Sequence, residues 1–268
     1  MIADYHIHTG LCGHARGNVE ELVESALEKG FEQVGIADHM PMLYAEHSYL
    51  SMTPEQLPGY VEEVLRAKER YAGRIKVLLG IEADYHAATQ AERVAMLEKY
   101  PFDYIIGSVH ILGDWIFDSP SDVDRYDELD LDLFYLEYLR EVRDMVESGV
   151  YDIVGHPDLA KKFDKRPSID LAPHYREILV EMKERGTCYE VNTAGLRWPV
   201  AEMYPEPAFV RLAAALGVPV TLGSDAHCPE DVGRDFDLAL ALVVGSGYRD
   251  LATFDRGKMT LVNIRGQI

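Results

Sequence analysis

Cysteine is scarce in this chain: three residues, Cys12, Cys188 and Cys228, among 268. An odd trio builds no disulfide framework and suits a reducing compartment. Long apolar runs are missing as well, and none approaches the roughly 18 residues that span a bilayer. No basic stretch precedes an apolar one near Met1, and His6 and His8 come too early to belong to a cleaved leader. A cytoplasmic protein with no membrane partner is therefore expected. Basic charge is in short supply, with 26 Lys and Arg against 46 Asp and Glu and a net charge of −20. Counterion release on nucleic acid needs many cations, so a broad nucleic-acid surface is excluded, whereas a small anion held by local positive charge is not. There is no Gly-x-Ser-x-Gly elbow and no Gly-x-x-x-x-Gly-Lys-Ser/Thr phosphate loop, which argues against a serine hydrolase or a nucleotide-triphosphate enzyme. Internal repeats, low-complexity tracts and Pro/Ser-rich linkers are likewise absent. A single domain over residues 1–268 is expected, with enough apolar residues (47%) to fill a substantial core.

What is present is an alternation. Short apolar runs at 2–7, 33–37, 76–81, 104–109, 151–154, 188–191 and 218–222 read as strands, with a late eighth at 258–262. Helix signals lie between them. Asn18 with Glu21 forms a capping-box pattern that Gly30 closes, and Thr53-Pro54-Glu55-Gln56 reads as an N-cap with a first-turn proline. Residues 131–149 and 171–186 carry apolar positions at helical spacing and end on glycine. Strands alternating with helices predict βαβ units around a parallel sheet. Two long loops remain, 40–52 and the acidic 115–130.

The polar residues that follow the strands carry the chemistry. His6 and His8 alternate onto one face of the first strand, about 7 Å apart along the backbone, close enough to share an ion. Asp38 and His39 follow the second strand, Glu82 the third, His110 the fourth, His156 the fifth, Asn192 the sixth and Asp225 with His227 the seventh; His14 sits in the first loop. A lone histidine is usually an ordinary packed or exposed residue, but so many at successive strand ends converge on one bowl only if the sheet closes into a β/α barrel. Nine donors (His6, His8, His14, His39, Glu82, His110, His156, Asp225, His227) exceed one ion and suit three, with open positions that mark catalytic rather than structural sites. Imidazole and carboxylate suit zinc, iron, manganese or cobalt without choosing among them. Glu82, the lone carboxylate in mid-constellation, is the natural bridge. Asp38 and Asp158 adjoin His39 and His156 and could orient their rings or simply cap loops. Cys12 and Cys228 lie close to ligand candidates and read as small residues near a polar site rather than as ligands. His47, His86 and His174 match no motif and read as surface.

These pieces resemble the polymerase-and-histidinol-phosphatase (PHP) superfamily. The matching segments are Asp4-Tyr5-His6-Ile7-His8-Thr9, Gly13-His14, Asp38-His39, Gly80-Ile81-Glu82, Gly107-Ser108-Val109-His110, Gly155-His156-Pro157-Asp158 and Gly223-Ser224-Asp225-Ala226-His227. The resemblance implies an α/β fold, a distorted seven-stranded β/α barrel, with a trinuclear metal centre at the C-terminal ends of its strands. It implies that His6, His8, Glu82 and Asp225 hold a first ion, Glu82, His110 and His156 a second, and His14, His39 and His227 a third. Cys12-Gly13-His14-Ala15 and Asn192-Thr193-Ala194-Gly195-Leu196-Arg197 look most like the histidinol-phosphate phosphatases of the superfamily.

A metal-dependent phosphomonoesterase acting on L-histidinol phosphate, in histidine biosynthesis, is the resulting expectation. A metal-bridged water would be the nucleophile, with the ions neutralising the phosphoryl oxygens and the leaving alkoxide. Asp225 is the candidate proton shuttle. Arg197 is the candidate phosphate clamp through bidentate guanidinium geometry, with Lys161, Lys162 and Arg16 as further cations near ligand positions. Tyrosines and acids of the two long loops are candidate contacts for the imidazole and ammonium of the substrate. The alternatives are a related phosphoesterase acting on another small phosphomonoester or on nucleotides, an amidohydrolase, which also begins with His-x-His on a barrel strand, and a metal-stabilised binding module. A homo-oligomer is an expectation that rests on no named residue.

Overall fold

Burial of the apolar runs against amphipathic helices generates the architecture. The computed structural model describes residues 3–43 and 50–264, so Ile2, His47 and most of the 40–52 loop's middle lie outside the described residues. The elements run β1 (Ala3–Asp4), α1 (Val19–Glu28), β2 (Gln33–Ile36), α2 (Leu57–Arg70), β3 (Lys76–Asp84), α3 (Gln90–Leu97), β4 (Tyr104–Ser108), β5 (Ile111–Leu112) and β6 (Trp115–Ile116). They continue with α4 (Leu131–Glu147), β7 (Ile153–Val154), α5 (Ala172–Arg185), β8 (Cys188–Asn192), α6 (Pro207–Leu216), β9 (Val220–Gly223), α7 (Phe236–Gly245), β10 (Asp250–Asp255) and β11 (Lys258–Asn263). All seven expected barrel strands are present, paired in parallel in the order β1-β2-β3-β4-β7-β8-β9.

The first and last strands meet. Tyr5 N–H reaches Leu222 O at 3.4 Å, Ala226 N–H reaches His6 O at 3.2 Å, and His8 N–H reaches Ala226 O at 2.9 Å. Buried Asp4 reinforces the seam by accepting from the Ser224 backbone and hydroxyl and from Gly233 N–H. The sheet thus closes into the seven-stranded β/α barrel expected. Its helices bury one stripe each, as α1 does with Val19, Leu22, Val23 and Ala26 behind an Asn18–Glu21 capping box.

Two local expectations change. The second helix starts at Leu57, not beside Thr53: a helix running from Pro54 would place Pro58 in its second turn, without the N–H needed there. Starting at Leu57 puts Pro58 in the first turn, and the Thr53–Gln56 pair makes a separate turn in which Thr53 N–H donates to Gln56 Oε1 at 2.8 Å. The acidic 115–130 segment is ordered by an aromatic cluster, with Trp115, Tyr126 and Phe134 ring centroids 4.8–5.4 Å apart. The late run at 258–262 does not join the barrel; it forms an antiparallel hairpin, β10–β11.

That hairpin closes the end of the barrel where the strands begin. Phe254 packs with Tyr5 and Tyr104 at centroid distances of 5.5 and 5.7 Å, and Lys76 Nζ donates to Phe254 O. Tyr104 crosses the interior so that its hydroxyl donates to Tyr5 O at 2.6 Å. The ring leaves no room for side chains on β2 and β3. A Cβ added at Gly80 would lie 2.3 Å from Tyr104 Cζ, and one at Gly35 would lie 2.1 Å from its oxygen. Gly80→Ala should therefore lower stability by about 1–3 kcal/mol, the usual cost of overpacking. Thermal unfolding checks this; an unchanged melting temperature would contradict the packing described.

Candidate active site and metal centre

The β strands run so that their C-terminal ends face one cavity of about 480 Å³. Seven of the nine donor candidates line it or lie beneath it on strand ends, and His14 and His227 arrive on the loops after β1 and β9. His6, His8 and Asp225 bring one ligand atom each within 4.8 Å of one another; so do His8, His39 and Glu82, and so do His14, His39 and His227. Through shared members these groups join seven of the nine candidates, and Glu82 brings in His110 and His156.

Glu82 sits at its centre, 1% exposed. Its carboxylate lies 2.8 Å from His39 Nδ1, 3.1 Å from His156 Nε2, 3.4 Å from His6 Nε2, 3.6 Å from His8 Nε2 and 3.7 Å from His110 Nε2. Burial alone would raise its pKa, but His39, His6 and His110 outweigh that and hold it well below the usual range. Several of these atoms face one another without hydrogen-bonding. His6 Nε2, both ring nitrogens of His8, His39 Nδ1, His156 Nδ1 and Glu82 Oε2 are buried and have no hydrogen-bond partner among the described residues. Buried polar atoms are nearly always paired, so a cluster of orphans aimed at common points fits ligands for divalent ions. His14 and His227 meet at the mouth, their Nε2 atoms hydrogen-bonded at 3.0 Å.

Two carboxylates that the sequence reading passed over hold the rings from behind. Fully buried Glu190 on β8 accepts from His6 Nδ1 at 2.8 Å, and Asp84 at the end of β3 lies 2.8 Å from His110 Nδ1. Carboxylate oxygens accept from ring N–H groups, so these contacts place a proton on Nδ1 of both rings and turn Nε2 towards Glu82. Asp38 acts similarly on the loop after β2: it accepts from His39 N–H at 2.8 Å and from Thr9, and lies 3.5 Å from His8 Nδ1. Asp158 does not orient His156. It accepts from Lys161 and from Glu206 N–H, behind the cavity. The signal that would have found Glu190 and Asp84 was strand alternation, since Glu190 is two residues from Asn192 and Asp84 two from Glu82.

The cations divide. Arg197 lines the cavity; its Nη2 donates to Ser224 O at 2.7 Å and Asp225 O at 3.3 Å, while buried Nη1 has no partner among the described residues. Lys162 lines it too, paired with Asp118 at 3.0 Å and 4.0 Å from the Trp198 ring centroid. Lys161 is not brought there. The turn Leu159–Lys161 sends its ammonium the other way, where Asp158, Glu202 and Met203 O satisfy it. Arg16 is not brought there either; it pairs with Glu230 on the exposed surface. Cys12 donates to Thr9 O, and burial pushes its thiol up to about 12, which disfavours a thiolate ligand although it neighbours His8 and His227. His86 and His174 are half-buried rather than fully exposed. His156 and Asp225 adopt left-handed backbone, φ 26° and 53°, a strain that non-glycine residues carry mainly at functional sites.

Comparison with known proteins agrees with this geometry. The PHP domain model matches residues 4–194, and a PHP-associated model matches 209–235. The chain belongs to the PHP family. A probable histidinol-phosphatase of Deinococcus radiodurans is 42% identical over 259 residues, covering 96% of this chain and 98% of that protein. The histidinol-phosphatase of Bacillus subtilis is 31% identical over 264 residues, covering 88% and 97%. A crystal structure of histidinol phosphate phosphatase from Lactococcus lactis, complexed with zinc, L-histidinol and phosphate, superposes with a TM-score of 0.84 at 25% identity, covering 97% of this chain and all of that one.

The electrostatics of this PHP domain make metal loading a proton exchange. Burial lowers the pKa of His8 and His110, but the carboxylates of Asp225 and Asp38 beside the one, and the charges of Asp84 and Glu82 beside the other, bring them to about 9 and about 10. His6 is raised well above its usual value by Glu190, Glu82 and Asp225, against the effect of burial. His14 and His227 go down, to about 4 and about 3, through burial and repulsion by neighbouring imidazoles. Raised folded pKa values give the metal-free chain stability that is full below about pH 6.5. It is lost as pH rises through about 9 and about 10. Zinc titrated at about pH 7.5 into chelator-stripped protein should release more than one proton per chain, read from calorimetry in buffers of different ionisation enthalpy. No buffer dependence would contradict the protonated ligand set.

Proposed function

We propose that this PHP protein is a phosphoric monoester hydrolase that converts L-histidinol phosphate to L-histidinol and inorganic phosphate, with three divalent ions, zinc among the candidates, held by the nine converging donors. The observation that carries the reading is the set of buried, partnerless imidazole and carboxylate atoms around Glu82, beside a cavity that Arg197 also lines. The relatives' names supply the substrate; the cavity supplies the chemistry. His6, His8, Glu82 and Asp225 would hold the first ion, Glu82, His110 and His156 the second, and His14, His39 and His227 the third. Bound there, the ions supply activation of water and neutralisation of charge on the phosphoryl and leaving oxygens.

The chain's own residues do the rest. Arg197 is anchored by two carbonyls through Nη2, which leaves Nη1 to donate to a phosphoryl oxygen. Lys162, held by Asp118, adds a second positive charge to the cavity wall. Asp225 is kept ionised by His6, His8 and His227 against the effect of burial, so it can accept a proton from attacking water and return it to the leaving oxygen. From the acidic 115–130 segment, Asp118 is the acid that reaches the cavity, and with Trp198 and Tyr204 it forms a wall suited to an amino alcohol bearing an imidazole. A cytoplasmic location accords with the chain's composition, and no helix among the described residues is long and apolar enough to cross a membrane.

The test is phosphate release by zinc-replete protein from L-histidinol phosphate, against a panel of other phosphomonoesters and one phosphodiester. The expected kcat/KM for histidinol phosphate exceeds the others by at least about a hundredfold, roughly 2.7 kcal/mol of transition-state selectivity. Flat activity across the panel would overturn the substrate assignment.

A further inference from the structure

Glu190 touches more than one ring. Its Oε1 accepts from His6 Nδ1 at 2.8 Å, from His156 N–H at 3.0 Å and from Asn192 Nδ2 at 2.8 Å, and its Oε2 lies 3.0 Å from the same His6 nitrogen. His6 follows β1 and His156 follows β7, on opposite sides of the β8–β9 pair in the closed barrel. His156 has left-handed backbone, φ 26°, and the Glu190 bond to its N–H is one of the contacts on that turn, beside those of the Tyr138 hydroxyl and Leu159 N–H to its carbonyl. Asn192 extends the contact to Asp225 Oδ2 at 3.4 Å. The packing around the carboxylate is tight: a Cβ on Gly223 would lie 2.2 Å from Oε2 and 2.8 Å from His6 Cβ. A buried charge so fully engaged is costly to disturb.

We propose that Glu190 is a positioning residue that couples two of the metal positions, fixing the His6 tautomer for the first ion and the His156 backbone for the second. In the three-ion assignment it is not itself a ligand, although one of its carboxylate oxygens lies within 4.8 Å of ring nitrogens of His6 and His156. The third position, built from His14, His39 and His227, makes no contact with it in any of these bonds. Asp84, in contrast, supports the second position alone, through His110. The inference rests on the three-ion assignment of the proposed function.

The test is zinc occupancy, measured by elemental analysis after equilibrium dialysis against a competing chelator over a range of free zinc. Glu190→Gln keeps the shape, but its amide NH₂ cannot accept, so one of the present donors loses its acceptor. Its expected result is a 10- to 100-fold loss of affinity for two of the ions with the third unchanged, the usual scale for losing such a support. Tyr189→Phe, which removes a hydroxyl bonded to Tyr248 from the same strand, is the fold control and should leave all occupancies unchanged. Loss of a single ion, loss of none, or equal weakening of all three would overturn the coupling. Should Glu190→Gln not fold, the wild-type holoenzyme labelled with ¹⁵N-histidine still decides: a His6 ring protonated on Nε2 rather than Nδ1 would overturn it. A wild type that bound no zinc would instead sink the metal reading itself.

Discussion

A carboxylate buried among five imidazoles sets the terms for everything else in this barrel. Desolvating Glu82 would be prohibitive without compensation, and the compensation comes from five rings on four strand-end segments. Those rings in turn need acceptors behind them, which is why Glu190, Asp84 and Asp38 are also buried. The result is a charge-balanced layer at one end of the sheet, with an aromatic layer of Tyr5, Tyr104 and Phe254 filling the other. Each layer depends on closure of β1 against β9, because the constellation draws its donors from both.

The same balance explains how the site meets cations. The surrounding carboxylates favour the protonated forms of His6, His8 and His110. Bound ions would displace those protons, and Glu190 and Asp84 would still hold Nδ1 of His6 and His110. His14 and His227 differ: they are loop-borne and neutral, and they complete the mouth of the cavity rather than its floor. Arg197, anchored through Nη2 on the carbonyls of Ser224 and Asp225, adds a fixed positive charge to the cavity wall beside these donors.

Much of this was legible in the residue order. Alternation of apolar runs with capped helices gave the seven barrel strands, and the position of histidines just past those runs placed the nine donors, because strand ends share one face of a closed barrel. The supporting acids were not legible by motif. Glu190 and Asp84 lie inside strands, where a charged residue reads as an interruption until its i±2 relation to Asn192 and Glu82 shows that it points inward. Lys161 and Lys162 illustrate the opposite limit. Adjacent cations on one turn point to opposite sides, and only the packing of Asp158 and Glu202 decides which ammonium is buried behind the cavity and which faces it. The Thr53 cap failed for a related reason, since a second proline four residues on fixes where the helix can begin.

The most direct test of the account is the number and place of the ions. Crystals grown with zinc should give anomalous difference peaks, at the zinc edge, at three positions: two sharing Glu82 and one between His14, His39 and His227. A single peak, or peaks away from Glu82, would contradict the central claim that this buried carboxylate organises a trinuclear centre.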